Sequence, residues 1–129
     1  MARTVIPVTT SDHDGVDYPD PTESDATNDM EIADHDSSTV LILTNMSGSA
    51  RTVVVKAAAT FGSPAIPLVD RTYTLGVSTA PDAVQVAGPF ARRLFNQVGD
   101  HSDQSVLVNF DGADGDVDIV AISVPIPVA

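Results

Sequence analysis

From Thr39 onward the chain alternates apolar and polar positions in short runs, and those runs are rich in β-branched residues. "TVLILTN" (39–45) and "RTVVVKAA" (51–58) are followed by "RTYTL" (71–75), "DAVQVAGPF" (82–90), "SVLVNFD" (105–111) and "VDIVAISV" (117–124). Arg71, Tyr73 and Leu75 alternate with Thr72 and Thr74; Val84 and Val86 flank Gln85, with Ala83 and Ala87 on the opposite parity. A period of two is that of a half-buried strand. "MSGS" (46–49) separates the first two runs, and Gly48 predicts a tight hairpin there, because glycine takes the positive φ such turns need. "TVIPV" (4–8) predicts a further short strand, placed at a sheet edge by Pro7. Only "PFARRLFNQV" (89–98) suggests a helical turn. Six or seven short strands punctuated by Gly, Pro, Asn and Asp predict an all-β fold, a single β-sandwich or jelly-roll-like domain over residues 29–129.

A faint internal echo accompanies this pattern. "TVLILTNMSGSARTVVVKAA" and "SVLVNFDGADGDVDIVAIS" share a plan of apolar strand, Asn or Asp with Gly, then apolar strand. Either hairpins simply resemble one another, or two hairpins occupy equivalent places in two packed sheets.

Ahead of the strands the character is different. Ser11 to Asn28 is polar, contains Pro19 and Pro21 and shows no sustained period, which predicts an extended acidic N-terminal arm over residues 1–28. The net charge is -12, from 18 carboxylates against six Lys and Arg. Residues 12–36 hold ten of those carboxylates, and no Lys or Arg falls between Arg3 and Arg51. This balance disfavours nucleic acid and anionic membrane as partners, since phosphate is repelled. It suits either a solvated arm or a contact with a basic partner. The 129 residues match one domain. The absence of cysteine removes disulfides, thiolate zinc sites and cysteine nucleophiles, which fits a reducing compartment and leaves an extracellular particle open. No apolar run reaches the roughly 20 residues a membrane helix needs. "MARTVIPVTT" lacks the apolar stretch of a signal peptide, so none is expected.

Three clusters invite a chemical reading. "EIADHDSSTV" (31–40) packs Glu31, Asp34, His35 and Asp36 together, and "DHD" recurs at Asp12–Asp14. Consecutive strand residues point to opposite faces and cannot chelate one ion together, although a loop allows it. The bland reading fits better: "MEI" (30–32) forms a short strand, Asp34 to Ser38 a polar turn, and Thr39 and Val40 open the next strand. Nor do His13, His35 and His101 fall in an HExxH pattern. "DGADGDVD" (111–118) offers Asp111, Asp114 and Asp116 as calcium candidates beside Asp118, Gly112 and Gly115. An EF-hand loop, however, needs a ligand where Ala113 stands and a Glu at its twelfth position, and a hairpin turn uses the same Asp and Gly. "ARRLFN" (91–96) sets Arg92, Arg93, Phe95 and Asn96 beside Phe90, a composition that interface hot spots favour. The competing reading places Phe90 and Phe95 in the core and leaves the arginines on an exposed turn. No nucleophile elbow, Walker loop or dinucleotide fingerprint is present. With no Trp, two Tyr and four Phe, aromatic platforms for sugar or bases are scarce. The expectation is a protein that is not an enzyme and uses no cofactor.

One resemblance brings these features together. A strand ending in Asn-x-Ser-Gly and returning as Thr-Val-x-Val stands here at Asn45, Ser47, Gly48, Thr52 and Val53. Gly88, Pro89 and Phe90 with Phe95 and Asn96 mark the middle, and a closing strand pair spans Val106 to Ile122. Over residues 25–124 the chain resembles small β-rich virion proteins of tailed bacteriophages, the capsid decoration and minor head proteins. The resemblance implies a structural, non-enzymatic component on the outer capsid surface of the virion, made in the host cytoplasm. Its partners would be the major capsid protein and copies of itself, a trimer being one such homo-oligomer. A tail or head-tail connector component, and a β-sandwich module binding a receptor or glycan, are the alternatives.

Overall fold

The apolar runs become strands within three residues of the boundaries their alternation predicts. The computed structural model describes residues 3–12, 14–33, 38–57, 60–61, 66–67, 69–90, 95 and 105–124. Along the chain lie β1 (Thr4–Val5), β2 (Val8–Thr10), β3 (Thr22–Glu23), β4 (Met30–Ile32), β5 (Thr39–Asn45), β6 (Arg51–Val55), β7 (Thr60–Phe61) and β8 (Ile66–Pro67). Then come β9 (Arg71–Leu75), a 3-10 turn (Pro81–Ala83), β10 (Val84–Ala87), β11 (Val106–Phe110) and β12 (Val117–Ser123). The fold is all-β. No helix among the described residues is long and apolar enough to cross a membrane.

Two main sheets enclose the core. The first has the order β1-β4-β11-β6-β9 and the second β10-β5-β12-β2, with β3 also pairing β12; β7 and β8 pair with each other. On β5 the alternation buries Thr39, Leu41, Leu43 and Asn45 and turns Val40, Ile42 and Thr44 the other way. Leu41, Leu43, Val53, Val55, Leu75, Val106 and Val108 are fully buried and join Met30, Ile32, Phe90, Phe110 and Ile119 in one cluster. Each such side chain contributes about 1.5–3 kcal/mol on leaving water, so this cluster is the main source of stability.

The turn at 46–49 is not a hairpin. β5 lies in the second sheet between β10 and β12, while β6 lies in the first between β11 and β9. The chain crosses from one sheet to the other, and Gly48 is not among the glycines with positive φ. The sheets stand roughly 10 Å apart, a gap five residues bridge easily. β11 and β12 are divided in the same way, and residues 111–116 carry the chain back across. The internal echo therefore marks two arches rather than two hairpins. Their limbs pair antiparallel, β5 with β12 from Asn45↔Val117 to Thr39↔Ser123, and β6 with β11 from Val53↔Phe110 to Val55↔Val108.

The N-terminal segment is bound into both sheets. β1 runs parallel to β4 at one edge, and the Ile6 amide extends that ladder by donating to Glu31 O at 2.8 Å. After Pro7 the chain leaves the first sheet, and β2 runs parallel to β12 at the edge of the second. Proline has no N–H to donate, so it suits the point where one ladder ends and another begins. Ile6, 1% exposed, is the peg driven into the core between them. Residues 22–28 also belong to the body: β3 pairs β12, and buried Ser24 exchanges backbone hydrogen bonds with Val117 and Gly115. Among the described residues, the longest stretch without strands before β4 lies within 11–21, so Asn28 does not divide an arm from a domain.

The parity of β10 differs from its neighbours. Ala83 and Ala87 are buried, while Val84 and Val86 are 51% and 66% exposed. Gln85 donates to Thr74 O on β9, tying the edges of the two sheets together. With the edges that close, small alanines fit between them and the valines are left facing out.

Candidate functional site

The "DGADGDVD" segment brings Asp111, Asp114 and Asp116 to one end of the sandwich, where each is committed to a separate donor. Asp111 Oδ1 accepts from Thr52 N at 2.9 Å. Asp114 Oδ1 accepts from Ala26 N at 2.8 Å, Thr27 N at 3.0 Å and the Thr27 hydroxyl at 3.1 Å, which pins the 26–27 backbone to the turn. Asp116 Oδ2 accepts from Ala113 N at 3.0 Å and Arg51 Nε at 2.8 Å. These bonds, the backbone amide first and Arg51 next, hold the Asp116 carboxyl below its usual value. Gly112 has φ +79°, and a Cβ there would stand 2.2 Å from Arg51 Nε, so the ion pair depends on this glycine. Among the described residues no three His, Asp or Glu side chains converge as a metal site. The turn reading accounts for the bonds of Asp111, Asp114 and Asp116 one by one, whereas the calcium reading would need the three to converge.

The other clusters resolve unevenly. Asp12 Oδ1 accepts from Asp14 N at 2.9 Å in a local turn, and His13 lies outside the described residues. So do 34–37, including Asp34, His35 and Asp36, together with His101. β4 covers "MEI" as expected, and Thr39 opens β5. Arg92, Arg93 and Asn96 also lie outside the described residues, as does the helical turn expected at 89–98 apart from Pro89, Phe90 and Phe95. Phe95 itself is 7% exposed and meets Phe90 edge to face, with centroids 5.4 Å apart at 67°. It is a core residue rather than a contact residue, because an aromatic pair gains most when removed from water.

Two features were not singled out from the sequence. The first is a cleft of about 400 Å³ between β9 and the segment that follows β10, lined by Arg71, Thr72, Tyr73, Gly88, Pro89, Phe90 and Phe95. Burial raises the Tyr73 phenol above its ordinary value, against the opposing pull of the Arg71 charge and a backbone hydrogen bond with Gly88. Gly88 precedes a cis peptide to Pro89 and has φ +102°; a Cβ there would press on the Phe90 ring and Thr39 O at 3.1 Å.

The second is the outer face of the second sheet. Residues directly opposite in a ladder share a face, and the register places Val84, Thr44, Asp118 and Glu23 in one row. Val86, Ile42 and Val120 form the next row, and Val40 with Ile122 the third. Six β-branched apolar residues thus occupy the side of the sheet away from the core. Val120 is absent from the core cluster yet only 4% exposed, so this side of the sheet is covered at β12 and open at β10, where Val84 and Val86 stand. The sequence signal was available: "TVLILT" is apolar at both parities, the mark of a strand with two apolar faces.

Comparison with known proteins finds no match to this chain, whether among protein-family models, curated proteins or solved structures.

Proposed function

We propose that the chain is a structural component of a bacteriophage virion, a capsid decoration protein that binds the major capsid protein on the outer shell and stabilises the head. The observation that carries this reading is the apolar outer face of the second sheet, with Val84 and Val86 left half or more exposed on an edge strand. Val84 and Val86, with half-buried Ile42 opposite Val86, form an apolar edge that suits a contact surface. Among the described residues, the calcium candidates Asp111, Asp114 and Asp116 are taken up by turn and backbone hydrogen bonds, which suits a structural role. The sequence resemblance supplies the virion setting. Added buried area at junctions between shell subunits would oppose the outward pressure of packaged DNA. Self-association is a separate property, read by sedimentation.

The cleft beside Tyr73 and Arg71 favours one alternative, a receptor- or glycan-binding module, and binding of the isolated protein to a glycan array would support it. The main reading is tested by quantitative mass spectrometry of purified particles, with imaging of where the protein sits. Hundreds of copies over the head support decoration. A dozen or fewer at the tail or connector favour the other structural role. Absence from the particle overturns the virion reading.

A further inference from the structure

The outer face of the second sheet has an asymmetric rim, and the rim says what kind of surface would cover it. Asp118 and Glu23 stand directly opposite each other at one end of the first row, beside Thr44 and Val84. Like charges directly opposite in a ladder repel and destabilise the sheet. Among the described residues no basic side chain relieves them. Arg3 donates to Met30 O and Asn109 Oδ1, Arg51 is paired with Asp116 and Lys56 with Asp70, while Arg71 stands on β9 of the other sheet. The face is therefore an apolar strip, exposed at Val84 and Val86 and half-buried at Val40, Ile42 and Ile122, and the carboxylate pair at the far end of its first row is offset by no basic side chain among the described residues.

We propose that this face docks a protein surface of complementary make-up, apolar side chains bordered by Lys or Arg, with the basic border seated against Asp118 and Glu23. A second copy of this chain is the poorer occupant. It would bring its own Asp118–Glu23 row and a further net charge of -12, whereas complementary charge both steers encounter and fixes register. The inference rests on the reading above only in taking the partner to be a shell protein; the chemistry of the face stands apart from that.

Two measurements separate the claims. In the first, methyl NMR of this chain follows Ile42, Val84 and Val86 as short peptides of alternating Lys and Val, or Glu and Val, are added. The expected result is a salt-sensitive shift of these methyls with the Lys peptide alone. Equal response to both peptides, no response, or shifts confined to other methyls overturns the proposal. Concentration-dependent shifts of the same methyls, with a dimer in sedimentation, overturn it in favour of a second copy. The second measurement uses virus particles lacking this chain and the purified protein. Val84→Ser with Val86→Ser is expected to weaken particle binding about tenfold or more. Glu23→Gln with Asp118→Asn is expected to weaken it and flatten its salt dependence, while leaving the free protein at least as heat-stable as before. A merely structural pair of carboxylates would not give that combination. Wild-type binding undiminished in both variants overturns the face and leaves the shell reading standing. If the wild type ignores particles but answers the Lys peptide, the shell reading falls and the face keeps its assignment.

Discussion

Asn45 gives the sharpest test of the arch that links the two sheets. Its side chain is 1% exposed and makes four hydrogen bonds. Nδ2 donates to Ser49 O at 2.7 Å and Gly76 O at 2.8 Å, and Oδ1 accepts from Ser47 N and Ser47 Oγ, both at 2.9 Å. Replacement by alanine removes all four. The Ser49 carbonyl is at the surface, where water can replace the amide, and Ser47 Oγ keeps a bond to it at 2.8 Å. The Gly76 carbonyl and the Ser47 amide lose a partner in a half-buried place, at about 1–1.5 kcal/mol each, so with the small cavity Asn45→Ala should cost about 3 kcal/mol. Asn45→Asp keeps the shape but aims an anion at two carbonyl oxygens. Burial there raises the folded-state pKa of the new carboxyl above its unfolded value of about 3.9, so the stability it retains when protonated is lost as pH rises. The aspartate variant should therefore be worse than alanine at neutral pH and recover relative to wild type on acidification. Urea unfolding followed by far-ultraviolet circular dichroism at neutral pH and near pH ~4 reads both effects. A loss below about 0.5 kcal/mol for Asn45→Ala, within the range of ordinary surface changes, would refute the reasoning. So would an aspartate variant that is closer to wild type at neutral pH than in acid.

Other consequences follow from the same contacts. Asp116, Asp70 and Asp25 all have carboxyls held below the ordinary 3.8. Their stabilisation is present above that value and is lost as pH falls below it through the lowered folded-state values, so stability should drop below about pH 4. Asp116→Asn should make that acid limb shallower, and a limb of unchanged slope in pH-dependent melting would contradict the ion-pair account. Ile6→Ala removes the peg between β1 and β2 and should cost about 2–4 kcal/mol, with faster hydrogen exchange at residues 4–11. Unchanged exchange there would show that the sheets do not depend on it. Millimolar calcium should leave the melting temperature unchanged, since Asp111, Asp114 and Asp116 each serve a different donor; a rise of several degrees would reverse that reading.

How much was legible in the chain follows from the range of the forces involved. Strand positions came from local alternation. β5, β9 and β12 begin where their apolar runs begin because a period of two is imposed by the backbone of each strand alone. The exclusion of a helical fold and the edge position of the segment around Pro7 were readable on the same grounds. The Asn-x-Ser-Gly segment was visible as a turn, but its destination was not. Asn, Ser and Gly serve a hairpin and an arch equally, and only the competition for strand partners sends β6 to the other sheet. The parity of β10 had the same ambiguity: Val84 and Val86 alternate with Ala83, Gln85 and Ala87 whichever set faces the core. Tertiary structure chose the alanines, because the β9 edge stands close enough for Gln85 to reach Thr74. Asp111, Asp114 and Asp116 lie in or beside the turn that their composition predicts, yet their donors at Ala26, Thr27, Arg51 and Thr52 come from distant parts of the chain. The carboxylate pair Asp118–Glu23 lies 95 positions apart in sequence (118 − 23) and became a neighbour only through the β3–β12 register. The sequence by itself determined where the chain is extended and which residues are available to be buried. Sheet pairing, which no local pattern encodes, decided which of them are buried and left one apolar face turned outward.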